Sequence, residues 1–424
     1  MSYPEIYIVD GELRGIVKQL LSPWKVKLIK DVEKADIIIT AQEPICTSTP
    51  QIIIPTTENQ RYLKKYNIRM ANIKNNSITV SIKAQVNMVK IRIPYRPKTI
   101  IYPLNENFIH RISDTMIVLG LNLIEEYRRH INSILNPKIS TFYKLVAKIP
   151  IPYTVIPETM RSKILKTIRG KNCPPNITEY IQLDALRYLL LEAIKTLTNK
   201  QPKTKIISKI TITHDIDTKK GLERALKMAR IEEKYNIQSI WFIPTKQYKL
   251  DKEIIQELAN VGEIGSHGAR HAPKLVLQPL EQVKRELEES KKTLEAIARK
   301  KVKLFRAPLL QHNKTIFEAA KQTNYAYTST TPTIELAHPM TNSPHGSKTI
   351  YPIEINGITE IPVTILQDHQ LLHIHNSCTK QAITYMIKQA RLIMKLHGTP
   401  VLLIHPDYDL AEKMTVYEEL LAQI

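Results

Sequence analysis

Apolar runs typical of strands alternate with amphipathic stretches typical of helices from residue 205 onward. The predicted strands cover 206–213, 237–243, 263–265, 302–305, 325–329 and 401–404, and the predicted helices cover 219–235, 252–261, 280–299 and 314–323. Alternating strands and helices of this length indicate a parallel sheet, either doubly wound or closed as a barrel. In both architectures ligands bind at the C-terminal ends of the strands.

A shorter version of the same alternation occupies the beginning of the chain. Strand-like runs lie at 5–9, 26–29, 35–40, 51–54, 77–82 and 86–93, with a helix-like stretch at 11–21. This pattern predicts a small α/β layer with an antiparallel addition. A single glycine, Gly11, follows the first strand, so a phosphate-binding loop is not favoured. Residues 107–135 predict one or two amphipathic helices.

Prolines punctuate the middle of the chain, between residues 137 and 175. A chain of 424 residues is long for one core. We therefore predict an N-terminal α/β domain over 1–170, a helical lead-in over 171–204 and a C-terminal domain over 205–424.

The composition shows an excess of basic residues. Lys and Arg number 61 against 40 Asp and Glu, and between residues 51 and 100 the ratio is ten to one. This excess allows an anionic partner of the N-terminal half, such as nucleic acid, anionic lipid or a phosphorylated sugar, although a lysine-rich soluble surface explains it equally. Three distant cysteines imply no disulfide framework. The most apolar run, 116–124, is far short of the roughly 20 residues that span a bilayer, so we expect no transmembrane segment and a cytoplasmic location.

The chemistry-bearing residues concentrate after two predicted strands. Asp215 and Asp217 project to one face of an extended strand, and His267 and His271 share a face if their segment is helical or tightly turned. Gly268, between the histidines, favours the tight turn. A carboxylate with two imidazoles suits a divalent cation, zinc being expected, with a position left open for water. The two aspartates alone could cap a turn or helix, and the two histidines alone could be a surface pair. Together the two pairs indicate a metal site.

Two further strand ends carry polar side chains. Arg306 follows the fourth predicted strand and His405 follows the last. Taken singly, Arg306 could form a salt bridge at a strand end and His405 could be a core histidine. Because the strands are predicted to be parallel, all these groups should meet at one rim of the sheet.

Other polar residues are predicted to have structural roles. His214 lies between Thr213 and Asp215 and should face away from the carboxylates. His373 and His375 alternate on one face of a presumed strand, but no carboxylate or cysteine stands at ligand spacing. Asp407 is expected to cap the terminal helix.

The C-terminal domain resembles the polysaccharide deacetylases of the NodB-like carbohydrate esterase type. Four motifs over residues 205–424 occur in the order found in that family: Thr-Ile-Thr-His-Asp-Ile-Asp at 211–217, Ser-His-Gly-Ala-Arg-His at 266–271, Arg-Ala-Pro at 306–308 and Leu-Leu-Ile-His-Pro at 402–406. The resemblance implies a distorted, incomplete (β/α) barrel and metal-dependent removal of acyl groups from N-acetylated sugars or related amides. It also implies roles for single residues: Asp215 as catalytic base, Arg306 as its partner, His405 as general acid, and Asp217, His267 and His271 as metal ligands.

This chain departs from the family pattern at three places. The two aspartates are separated by Ile216 rather than adjacent, a variant that resembles members acting on small or unusual substrates. Leu309 follows Arg-Ala-Pro, where an aromatic residue is frequent. The acidic residue that orients the histidine acid is assigned to Asp368.

The sequence therefore predicts a zinc-dependent deacetylase acting on an N-acetylated sugar or a small amide. Two alternatives stay open. One is a non-catalytic carbohydrate- or nucleic-acid-binding protein with a structural metal, and the other is a different metal-dependent C–N hydrolase on the same barrel. A glycosidase is disfavoured, because one of its two carboxylates would be bound to the metal.

Overall fold

The computed structural model describes most of the chain: residues 3–73, 79–102, 108–148, 174–198, 200, 202–205, 209–407 and 409–424. The chain forms two compact units, and each unit is built from separate segments. The first comprises Met1–Ile131, Thr178–Ile207 and Lys395–Gly398, and the second comprises Asn132–Ile177, Ser208–Met394 and Thr399–Ile424. The predicted boundaries at 170 and 204 remain a prediction.

The first unit is built on a six-stranded sheet with smaller strand pairs. Its strands β1–β12 are Glu5–Ile8, Trp24–Lys25, Lys27–Ile29, Ile37–Thr40, Gln51–Ile53, Arg69–Asn72, Val80–Val86, Val89–Tyr95, Thr99–Tyr102, Ile109–Ser113, Met116–Leu119 and Lys203–Thr204. The main sheet has the order β10-β11-β5-β4-β1-β3 and is parallel except for the β10–β11 pair. Strands β4 and β5 are buried along their whole length, as continuous apolar runs in parallel sheets are.

The helices of the first unit include Gly11–Leu20, Gln60–Lys64, most of Leu123–Leu135, and Gln182–Leu197. Asp10 caps the first of them, since its carboxylate accepts a hydrogen bond from the Leu13 amide at 2.8 Å. The last contains a fully buried ion pair between Asp184 and Arg187. Arg187 also donates to the carbonyls of Gln19 and Leu20, where the first helix ends.

The prediction of helix over 107–135 is wrong over residues 108–119, and residue 107 lies outside the described residues. Strands β10 and β11 form an antiparallel hairpin there, and helix begins only at Leu123. The β-branched residues Ile109, Ile112, Ile117 and Val118 favour the extended backbone at this place.

The second unit contains an open eight-stranded sheet. Strands β13–β22 are Thr211–Asp215, Ile240–Ile243, Glu263–Ser266, Leu304–Phe305, Tyr327–Thr328, Glu335–His338, Ser343–His345, Ile353–Ile355, Ile358–Glu360 and Val401–Leu403. The order is β20-β21-β17-β16-β15-β14-β13-β22, and every neighbouring pair is parallel except β20 with β21. The predicted mixed α/β class is confirmed.

Helices connect these strands, and four of them coincide closely with the sequence prediction. The helices of this unit include Thr141–Val146, Lys219–Lys234, Lys252–Val261, Leu280–Ala298, Lys314–Gln322, Thr379–Lys395 and Met414–Leu421. Thr218, Asp251 and Asn313 each accept a backbone hydrogen bond at a helix start, which explains why these helices begin where they do. Among the described residues, no helix is both long and apolar enough to cross a membrane.

The segment that follows β21 links the two sides of this sheet. The amide of Val363 donates to Thr331, and the amide of Thr333 donates back to Val363. Two residues later, the amide of Ile365 donates to Val401 at the start of β22. The C-terminal ends of β13, β14, β15, β16 and β22 lie along one edge, because these strands are parallel.

Candidate metal centre

Three buried side chains at that edge offer ligand atoms to one point. Asp217 lies two residues beyond the end of β13, and His267 and His271 follow β15. His267 Nε2 is 3.6 Å from Asp217 Oδ1, and His271 Nε2 is 3.5 Å from Asp217 Oδ2. One ligand atom from each residue lies within 4.8 Å of the other two. The structure thus brings together the three residues that the sequence singled out as metal ligands.

The unsatisfied atoms of this group fit a bound cation. Asp217 Oδ1 and His267 Nε2 are buried, and neither has a hydrogen-bond partner. Leaving such atoms buried and unpaired is costly. Two ligands of a tetrahedral zinc with bonds of 2.0–2.1 Å lie about 3.3 Å apart, close to the separations found here. A carboxylate and two imidazoles therefore form a suitable donor set for a divalent metal.

The tautomer of His267 also suits a metal ligand. Its Nδ1 lies 2.9 Å from the carbonyl oxygen of Arg306, which can only accept a hydrogen bond. Nδ1 therefore carries the proton, and the lone pair of Nε2 faces Asp217. Burial lowers the pKa of His271, which favours the neutral form that a metal requires.

Two contacts hold the turn that carries the histidines. Glu286 Oε1 accepts from the amide of Ala269 at 3.1 Å, and Gln247 Oε1 accepts from the amide of His271 at 3.1 Å. Gly268 has a φ of +72°, which a glycine adopts without strain. The segment is a tight turn rather than a helix, as the glycine predicted. Sequence reasoning missed Glu286 and Gln247, because neither lies in a motif.

Asp215 is held beside the metal ligands by a buried guanidinium. Arg306 Nη1 donates to Asp215 Oδ1 and to Thr213 Oγ1, both at 2.9 Å. Arg306 also donates to the carbonyl and hydroxyl of Ser329, both at 2.8 Å, and its Cζ lies 4.2 Å from the centroid of the Phe242 ring.

These contacts determine the charge of Asp215. Burial by itself raises the pKa of the carboxyl, but the charge of Arg306, with a smaller contribution from His405, lowers the pKa below its ordinary value. Asp215 is therefore ionised at neutral pH. Its Oδ2 lies 3.8 Å from His267 Nε2.

His405 is paired with Asp368. His405 Nδ1 lies 2.8 Å from Asp368 Oδ1, and the His405 amide donates to Asp368 Oδ2 at 3.0 Å. Burial disfavours the imidazolium, but the adjacent Asp368 carboxylate, helped by Asp217 and Asp215, raises the pKa of His405 to about 10. His405 therefore carries a proton at neutral pH.

The histidines predicted to be structural lie in other surroundings. His214 Nδ1 donates to the carbonyl oxygen of Ile404 at 2.9 Å, its Nε2 lies 2.8 Å from Glu232 Oε1, and its ring stacks on Trp241. His373 lies in the helical turn Gln370–Ile374. The interpretation of His373 and His375 as alternating on a strand is therefore wrong.

Asp407 has a different role from the predicted one. The helix Met414–Leu421 has Lys413 at its N-cap. The Asp407 carboxylate instead accepts from the backbone amide of Asp217 at 3.0 Å. Burial and the neighbouring charge of Asp217 raise the pKa of Asp407. Its position two residues after His405 was the single sequence signal that could have pointed to it.

Residues 203–328 match the family model of the polysaccharide deacetylases. The resemblance of the C-terminal domain to that family, which the motifs predicted, is confirmed over this segment. The match contains Asp215, Asp217, His267, His271 and Arg306, whereas the residues of the pair Asp368–His405 lie beyond it. No curated protein matches the chain.

Solved structures of similar proteins cover about half of the chain. A presumed polysaccharide deacetylase from Mycobacterium smegmatis has 18% identity over 51% of this chain and 84% of its own, with a TM-score of 0.42. A family 4 carbohydrate esterase from Streptomyces lividans has 13% identity over 51% and 88%, with a TM-score of 0.35. A CE4 family pseudoenzyme from Bacillus anthracis has 15% identity over 51% and 61%, with a TM-score of 0.35.

Proposed function

We propose that the second unit is a metal-dependent deacetylase that hydrolyses an N-acyl group of a sugar or a related small compound. The observation that carries this proposal is the pair of facing atoms, Asp217 Oδ1 and His267 Nε2, which are buried without hydrogen-bond partners beside an ionised carboxylate and a protonated imidazole. The family match of residues 203–328 supports the same reaction class.

Asp217, His267 and His271 would hold the metal, and zinc is the expected ion because the donors are one carboxylate and two imidazoles. When bound, such an ion polarises a carbonyl group and lowers the pKa of water to about 7. Structural zinc sites usually have four protein ligands, whereas catalytic sites have three. The three ligands found among the described residues favour catalysis over the alternative of a non-catalytic binder with a structural metal.

Asp215 is the proposed general base. Its carboxylate is ionised and immobilised by Arg306, so it can remove a proton from water as the oxygen attacks the carbonyl carbon of the amide. Arg306 in turn is fixed by hydrogen bonds to Ser329 and Thr213, so its guanidinium stays beside Asp215.

His405 is the proposed general acid. Breaking the C–N bond requires a proton on the leaving nitrogen, and the imidazolium of His405 can supply it. Asp368 accepts the hydrogen bond of Nδ1–H, which leaves the proton on Nε2 available for transfer. The products are a carboxylate and an amine.

The strand arrangement supports the distorted, incomplete barrel that the family resemblance implied. The segment around Val363 bonds to Thr331 and Thr333 on one side and reaches Val401 through Ile365 on the other. A sheet curled in this way places its strand ends around a common mouth. The cytoplasmic location and the anionic partner of the N-terminal half remain predictions.

Acetate release by the purified chain tests the proposal. The protein is stripped of metal, reloaded with Zn²⁺ and incubated with mono- and oligomeric N-acetyl sugars, small N-acetyl amides and cyclic amides. We expect one zinc per chain and acetate release that depends on zinc. Equal release by the stripped protein would contradict the metal dependence. Zinc binding with no hydrolysis of any substrate would favour the non-catalytic alternative, and opening of cyclic amides alone would favour the other C–N hydrolase.

A further inference from the structure

Asp217 lies where the sheet no longer supports its backbone. Strand β13 ends at Asp215, and the amide of Ile216 makes the next hydrogen bond, to Phe242 O at 3.0 Å. The hydroxyl of Tyr248 donates to the Ile216 carbonyl at 2.9 Å. The buried amide of Asp217 needs another acceptor, because no adjacent strand reaches it. The Asp407 carboxylate is that acceptor, at 3.0 Å.

Asp407 is itself fixed by the helix Lys219–Lys234. Arg224 of this helix donates to the carbonyl of Asp407 at 2.7 Å. The Asp407 carboxylate packs against Gly221 in the first turn, so closely that a Cβ at Gly221 would lie 2.4 Å from Oδ1 and 2.5 Å from Oδ2. The Gly221 amide itself donates to Thr218 Oγ1 at 3.1 Å, so Asp407 meets this turn by packing. Gly221, Asp407 and Asp217 therefore form a continuous support.

We propose that Asp407 is a positioning residue for the metal site. It holds the backbone of Asp217 at the point beyond the strand where the side chain must turn toward His267 and His271. Gly221 is required because any side chain there would displace the carboxylate of Asp407. This inference rests on the metal site of the proposed function. Residues that orient metal ligands typically change metal affinity by about 10–100-fold when they are replaced.

Zinc affinity measures this role directly. The full-length protein competes with a chromogenic chelator for Zn²⁺, without any need for turnover. We expect Asp407→Ala to bind Zn²⁺ about 10–100-fold more weakly. Asp407→Asn should stay much closer to the parent, since its amide oxygen still accepts from Asp217. Equal zinc affinity of the parent and a folded Asp407→Ala would overturn the proposal, and so would equally weak binding by the Asn and Ala variants.

A substitution at Gly221 tests the support from its other end. Gly221→Ala should also weaken Zn²⁺ binding, although this residue has no atom near the ligands. The loss should disappear in the Asp407→Ala background, because the shortened side chain leaves room for the methyl group. Additive losses would overturn the proposed coupling. If Asp407→Ala does not fold, Gly221→Ala and Asp407→Asn still test the proposal. Unchanged zinc affinity in a folded Gly221→Ala protein would contradict it.

Asp251→Ala is the matched control. Asp251 also accepts backbone hydrogen bonds at a helix start, from Glu253 and Ile254, but it supports no metal ligand. The Asp251→Ala variant should have a lower Tm and an unchanged zinc affinity. Weaker zinc binding in this variant would contradict the proposal, because loss of stability alone would then explain weaker binding. A protein that binds zinc in an Asp407-dependent way but releases no acetate would refute the deacetylase and leave this inference intact. An active, zinc-dependent protein whose zinc affinity is unchanged by Asp407→Ala would refute this inference and leave the deacetylase intact.

Discussion

Asp215 and Asp217 are two residues apart, yet one carboxylate has its counter-charge within the protein and the other does not. Asp215 Oδ1 is 2.9 Å from a guanidinium whose other N–H groups bind Ser329 and Thr213. Asp217 faces His267 and His271, and its Oδ1 has no hydrogen-bond partner. The difference shows how identical side chains acquire separate roles. The charge of Asp215 is balanced within the protein, whereas Asp217 would be balanced by the cation that we propose at this site.

The environment of His405, the proposed general acid, resembles that of Asp215. His405 is paired with Asp368, so its proton is also held by a charge that the protein supplies. The proposed base and acid are therefore each held in an internal ion pair, whereas the proposed metal ligands Asp217 and His267 present atoms without a hydrogen-bond partner. Substitutions on the two sides should consequently fail in different ways.

The largest effect should come from replacing one carboxylate at a time. Asp215→Asn should retain zinc and lose about 10²–10⁴-fold in kcat, because the amide cannot accept the proton of water. Asp217→Ala should lose both zinc and activity, because it removes the carboxylate of the proposed metal site. Zinc content by elemental analysis and kcat on one substrate separate the two results. Loss of zinc from a folded Asp215→Asn protein would break the distinction between the two carboxylates.

A smaller effect, with a defined pH dependence, should follow from Asp368→Asn. His405 donates in its protonated form, so activity falls as pH rises through its pKa of about 10. Without the Asp368 charge, burial would dominate and lower this pKa, and the alkaline limb of kcat should move to lower pH. A pH profile of kcat measures the shift. An alkaline limb at the same pH in both proteins would show that Asp368 does not determine the protonation of His405.

The smallest effect should come from the turn that carries the histidines. Glu286→Ala removes the acceptor for the Ala269 amide and should lower the free energy of unfolding by about 0.5–1.5 kcal/mol. Glu286→Gln retains an acceptor oxygen and should remain near the parent. Urea unfolding of the metal-free proteins measures both. If the two variants lose the same stability, the negative charge of Glu286 matters rather than its hydrogen bond.

Local pattern predicted much of the second unit and less of the first. The helix Lys252–Val261 has its predicted bounds, because an Asp cap begins it and a glycine ends it. The hairpin of β10 and β11 was mistaken for helix, since apolar spacing in a short segment fits either period. The hairpin of β18 and β19 was not predicted at all.

The sequence by itself determined that polar side chains stand at the strand ends, because two short motifs directly follow apolar runs that predict parallel strands. It therefore indicated Asp215, Asp217, His267 and His271 as a group. The tertiary structure alone decided that Asp407 supports Asp217, since 190 residues separate the two in the chain. A carboxylate and the amide that it accepts are brought together by the packing of β22 beside β13, and no local periodicity records such a contact.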